Sequence, residues 1–298
     1  MLRISSALLV VLFSISAYGG TYPRQGFIPN GGQWDAQVNY RLAIPGGAVF
    51  LRNTGVLYIL YDAERVHEIH ELSHNGSLIP EGTTITHQGI QMNLLGATNP
   101  SQTLQSGPSE TRYNYYLGRG TQNATGLHAF QEILSKDVYP FTDWKLRMTE
   151  AGLKYDFIIR PGGSVSNIRM NFDGASGIEI INNTLYIRTT FGDIVEQAPV
   201  AWQDGPEGRV LVDCRFKQNS DGSIGFETAA YNPEFELILD PDLVFASYSG
   251  SFDDNWGFTA TYDNSENAYS GIVFELSFLQ PLVCIRLIYG GQIDIRYS

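Results

Sequence analysis

The sequence predicts an all-β fold, an antiparallel sandwich-like domain, from three observations. Composition is the first: 17 Tyr, 16 Phe and 31 Gly accompany only 17% charged residues, and aromatic and β-branched side chains suit a pleated, half-buried surface. Alternation of apolar and polar residues in several short runs is the second, because a strand puts successive side chains on opposite faces. The third is the set of Asn- and Gly-bearing turns between those runs, closely spaced as in sandwich and barrel architectures. No stretch holds an apolar 3.6-residue period over three turns.

The elements follow from the N-terminus. "MLRISSALLVVLFSISAYGG" has a basic tip at Arg3, an apolar run from Ala7 to Ile15 and then small residues. The run is too short to span a bilayer and fits the core of a signal peptide, with cleavage after Ala17 or Gly19. Residues 1–19 are therefore expected to be a leader, and the mature chain to be secreted or at the cell surface without a transmembrane segment. Residues 20–240 are expected to form one β-rich domain. In it, "VNYRLAI" alternates, and "GAVFLR" and "VLYILYD" flank the tight-turn signal "NTG" as a hairpin. Residues 62–87 are more polar and hold four of the five histidines. "GIQMNLLGA" is a strand, "TNPSQTLQSGPSE" a loop by composition, and residues 126–138 a candidate short helix.

A second hairpin turns at Glu150, Ala151 and Gly152, with Leu153, Tyr155, Phe157 and Ile159 predicted to point inward. "IEIINNTLYIRTT" turns at Asn182 and Asn183, because Asn tolerates the left-handed backbone. "RVLVDCRFKQNSDGSIGFET" turns at Asp221-Gly222, and its alternation places Cys214 on the apolar face as a core thiol. A strand ends at Asp240-Pro241, where a new Gly- and Ser-rich texture begins.

Net charge is −12. That excludes the basic footprint a nucleic-acid binder needs and docking on anionic lipid. The plain meaning of a dispersed acidic surface is solubility.

Taken together, "GGQWDAQVNYRLAIPGGAVFL", "LKYDFIIRPGG", "GDIVEQAPVAWQ" and "LILDPDLVFASYSGSFDDNWGFTATYD" resemble the N-terminal β domain of unknown function (DUF7948-like) of large secreted Bacteroidota cell-surface proteins. The resemblance covers about residues 26–274. It implies that a β domain is followed by SBBP-type β-propeller repeats, in cargo associated with type IX secretion and gliding motility. It implies location and architecture, and names no chemistry. On this reading residues 241–274 are the first strands of a propeller that is truncated. A single blade cannot bury its faces without neighbours. Residues 275–298 depart from the repeat pattern and are expected to be an aberrant tail from a frameshift or shortened gene. That tail carries Cys284, which argues against a bridge with Cys214.

Chemistry is sparse. His67, His70 and His74 in "HEIHELSH" would share one side of a helix, and three His can hold a zinc. The spacing is not the H-E-x-x-H of zinc proteases, and the preferred reading is a polar, partly exposed loop or edge. No G-x-S-x-G elbow occurs. Asp240 with Asp242, and Asp253 with Asp254, are carboxylate pairs of the kind glycosidases use, yet turn chemistry explains both. Asp263, Ser265 and Asn267 begin like a calcium loop, which fails at Ala268 and Phe274. "GGS" at 162–164 opens no helix for a phosphate loop. Trp202 and Trp256 are the residues that could stack on a sugar. The chain is thus expected to be a non-enzymatic interaction or scaffold module, with no cofactor and an unknown extracellular protein or glycan as partner. The alternative is a carbohydrate-binding or carbohydrate-processing extracellular protein.

Overall fold

The computed structural model describes residues 26–245 with short gaps, and residues 261–262, 268–269 and 292–294. The expected leader, Trp256, Asp242, Asp253, Asp254, Cys284 and nearly all of the expected repeat and tail lie outside the described residues. The elements begin with β1 (Ile28–Pro29), β2 (Tyr40–Ile44), β3 (Gly47–Arg52), β4 (Gly55–Tyr61), α1 (Ala63–His74) and β5 (Thr84–Leu94). There follow β6 (Gln102–Tyr115), β7 (Ala124–Tyr139), β8 (Thr142–Thr149), β9 (Gly152–Ile159), a single 3-10 turn at Val165–Asn167, and β10 (Met170–Asp173). Next come β11 (Gly177–Ile181), β12 (Thr184–Arg188), β13 (Ile194–Glu196), β14 (Val200–Gly205), β15 (Gly208–Val212) and β16 (Cys214–Gln218). The last are β17 (Ile224–Thr228), β18 (Leu237–Asp240), β19 (Leu243–Phe245), β20 (Thr261–Tyr262), β21 (Ala268–Tyr269) and β22 (Gln292–Asp294).

All pairings are antiparallel, so the all-β class holds. A nine-stranded sheet runs β1-β2-β3-β4-β5-β10-β17-β16, with β22 also beside β5. A seven-stranded sheet runs β15-β14-β18-β9-β8-β7-β6, and a four-stranded sheet β11-β12-β13-β19. One core joins the three. Trp144, Leu146, Leu153, Tyr155 and Phe157 from the seven-stranded sheet meet Val56, Tyr58, Ile90, Met92 and Phe226 from the nine-stranded one, and Leu185, Ile187 and Ile194 from the four-stranded one. Trp144 stacks on Phe157 at 6.4 Å, and Phe157 meets Phe226 edge-on at 6.1 Å, so aromatic contacts cross from sheet to sheet.

The hairpins lie where the turn residues place them. Asn182 and Asn183 both take positive φ, 51° and 64°, between β11 and β12. Leu153, Tyr155, Phe157 and Ile159 are all buried. Cys214 packs half-buried against the core, and burial raises its thiol pKa to about 12.

Four expectations are overturned. Most of residues 98–110, read as a loop, lie in strand β6: the first part of this edge strand is solvated on both faces and needs only backbone pairing with β7, not an apolar stripe. Residues 126–138, read as a short helix, belong to β7, where burial of Ala129 and Ile133 against the core overrides the helix propensity of Gln131, Glu132 and Leu134. The polar stretch around His67 is helix α1, not a loop or edge. Asp62 caps it, its Oδ1 accepting the Arg65 N–H at 3.0 Å, and Ile69 is buried beneath it. The run 210–216 is not one strand: the chain leaves the seven-stranded sheet after Val212, and Asp213 leads into β16 of the nine-stranded sheet.

Two such transfers lie side by side. The chain goes from β13 to β14 through Pro199, and from β18 to β19 through Pro241, while β13 pairs β19 and β14 pairs β18. Both prolines are buried, and a residue before proline is held extended.

Candidate functional site

The β14–β15 hairpin turns over Pro206 and Glu207 and forms one edge of the seven-stranded sheet. Asp204 and Arg209 face each other across it, Nε to Oδ1 at 2.9 Å and Nη2 to Oδ2 at 3.1 Å, a bidentate pair. The same guanidinium lies 4.6 Å over the Trp202 ring. The pair with Arg209 holds the Asp204 carboxyl below the usual carboxylate range. Leu211 stands opposite Trp202 and is 72% exposed, while Val210 is 60% and Val200 50% exposed. Leu211, Trp202 and Val200 share one face of this edge, and Val210, opposite Gln203, stands on the other.

The other edges of the three sheets are defended against pairing, β19 by being only three residues long. Strand β6 carries Pro108 and shifts of register between Pro108 and Arg112, β16 presents exposed Arg215 and Lys217, and β1 is two residues long. Edge β11 has Glu179 at its centre, paired with Arg188 at 2.6 Å. Bulges, charges and shortness each discourage strand addition. Strand β15 has no proline, no lysine and no register shift, and its one charge, Arg209, is held by Asp204.

Behind this edge the outer face is polar. Arg147 joins Asp156 at 2.8 Å and Asp240 at 3.0 Å, and Lys154 lies 3.9 Å from Asp240. Lys145 pairs with Glu132 at 2.8 Å, and Arg160 reaches Asp143 at 3.3 Å. Burial, reinforced by the nearby Asp240 carboxyl, raises the Asp156 pKa to about 7 despite Arg147. Asp240 lies beside Asp156; Asp242, set with it in the sequence, is outside the described residues. A cavity of about 380 Å³ lies beside the hairpin, lined by Pro161, Asp204, Glu234, Phe235, Glu236 and Ile238.

The sequence candidates separate. Trp202 is half-buried, with one ring face taken by Arg209. His67, His70 and His74 are all on α1, and the His67 side chain is exposed, while those of His70 and His74 lie outside the description. Among the described residues no three His, Cys, Asp or Glu side chains gather as metal ligands, and no helix is long and apolar enough to cross a membrane.

With this geometry in view, residues 27–242 match the family described as "Domain of unknown function (DUF7948)". The chain belongs to this family. No curated protein and no solved structure matches it.

One residue of this DUF7948 domain escaped the sequence reading. Glu196 ends β13 with its side chain fully buried among three sheets. The Tyr155 hydroxyl donates to its Oε2 at 2.7 Å, and the same hydroxyl lies 3.6 Å from the Met170 sulfur. Burial raises the Glu196 pKa from 4.5 to about 7, the Tyr155 hydrogen bond opposing. Its position two residues after buried Ile194 was the available signal: an acid on the apolar face of a strand.

Proposed function

We propose that this DUF7948 chain is a non-enzymatic interaction module, a scaffold element of a larger exported protein, and that it docks partners by adding a strand at β15. The observation that carries the reading is the undefended edge, with Leu211 72% exposed beside Trp202. Strand addition takes affinity from main-chain hydrogen bonds and specificity from alternate side chains. On the outer face the described charges are largely spent on one another in ion pairs, as suits a structural surface. Export rests on the basic, apolar and small-residue pattern of residues 1–19.

A photo-crosslinking amino acid at position 211, in cells making the full chain, tests this. Adducts are expected at 211 and not at Phe141, an exposed apolar residue at the β7–β8 turn. No adduct at 211 would contradict docking at this edge, and recovery of an uncleaved chain from cytosol would contradict export.

The second reading, carbohydrate binding, is favoured by the cavity with Asp204, Glu234 and Glu236 near Trp202. Binding on a glycan array that Trp202→Ala abolishes would support it.

A further inference from the structure

We infer that the strand received at β15 is β15 of a second copy of this chain, paired antiparallel about a two-fold axis at Leu211. This rests on reading β15 as the docking edge. The sequence Arg209-Val210-Leu211-Val212-Asp213 is self-complementary when reversed. Arginine meets aspartate, valine meets valine and leucine meets leucine. Opposite charges and matched apolar residues directly across an antiparallel pair stabilise it.

Backbone alternation allows this register. Gly205 and Gly208 close the two-residue turn, so Val210 and Val212 aim their backbone groups at Gln203 and Ala201 of β14. Arg209 and Leu211 therefore aim theirs away from the sheet. An axis through Leu211 sets Leu211 against Leu211 of the second copy as a hydrogen-bonded pair. It also keeps like faces together, because paired positions differ by an even number. Arg209 then faces Asp213 of the second copy. Its Nε and Nη2 hold Asp204, which leaves Nη1 as the donor for the new carboxylate. The Asp213 carbonyl already accepts the Ala229 N–H at 2.9 Å, so the outer pairs depend on the side chains.

Five residues a side bury far less than the roughly 1,600 Å² of a standard interface. The dimer therefore dissociates on dilution, and tethering on a surface, which raises effective concentration, favours it.

Sedimentation of the full chain over a concentration series tests the inference. Wild type should move from monomer to twice that mass. Asp213→Arg alone and Arg209→Asp alone should each remain monomeric, since like charges then face each other twice. An equimolar mixture of the two should dimerise again, because both trans pairs are restored. Circular dichroism checks that each variant is folded. Should Arg209→Asp disturb the hairpin, Leu211→Cys in a Cys214→Ser, Cys284→Ser background gives a second measure. Paired Cα atoms about 5.5 Å apart suit a disulfide, so a cross-linked dimer should form at 211 and not with Val210→Cys. Wild type monomeric at every concentration, or a mixture that stays monomeric while both variants are folded, overturns the pairing. Crosslinks from position 211 to a different protein, with the chain itself monomeric, would overturn the self-pairing and leave the docking edge standing.

Discussion

Glu196 is an acid that the core accommodates better with its proton on. No described group offers its Oε1 a hydrogen bond, and Tyr155 is the partner of Oε2. In the unfolded chain the carboxyl ionises near 4.5, and in the folded chain near 7. Between those values the folded state binds the extra proton, so stability falls as pH rises through this window and is lowest above it. A shift of this size corresponds to roughly 3 kcal/mol. Asp156, raised to about 7, acts with the same sign. Glu196→Gln keeps an acceptor for Tyr155 and removes the charge, so urea unfolding should show a flatter pH dependence between 5 and 8 and a gain at pH 8. An unchanged slope would remove Glu196 as its source. Trp144, fully buried between Tyr155 and Phe157, should cost about 3–5 kcal/mol on replacement by alanine, read from the same unfolding curves. Inward Tyr155 and Phe157 were legible from period two. The pairing of Asp156 with Asp240 was not, because the two are joined only when β18 settles beside β9.

Hairpins were the readable elements, and the reason is local. A turn such as Asn182-Asn183 fixes its backbone through its own residues, here at positive φ. Asn183 does more than turn: its amide donates to the Cys214 carbonyl at 3.2 Å, and its Oδ1 accepts the Phe216 N–H at 2.9 Å. It thereby ties the β11–β12 hairpin to β16. Asn183→Gly keeps the φ and loses both bonds, and should lower stability by about 1–2 kcal/mol. Asn183→Val loses both and adds left-handed strain, and should cost more. Thermal midpoints in the order wild type, Gly, Val check this, and equal midpoints for all three would refute it. The unreadable elements are those decided at a distance. Strand β6 exists because β7 lies beside it. Helix α1 has a single apolar stripe, of which Ile69 is buried, too thin for a pattern over three turns. The split at Asp213 leaves the alternation of side chains unbroken and so left no mark on it.

Across the molecule, three antiparallel sheets close on one core, and the two proline-bearing transfers stitch the four-stranded sheet to the seven-stranded one. That architecture sets proline, charge or a shift of register at the edges β6, β16 and β11, makes the edges β1 and β19 short, and leaves β15 with one charge, Arg209, that is already paired with Asp204. The all-β class followed from composition and alternation. The open edge did not, since neither shows which strands lie outermost. Hydrogen exchange of the full chain, followed peptide by peptide as concentration rises, tests this most directly. The peptide covering 208–212 should gain protection with concentration at the outward Arg209 and Leu211 amides, while 102–115 and 214–218 keep their rates. Unchanged exchange at 208–212 across the series, or protection gained at β6 or β16 instead, would contradict self-pairing through β15.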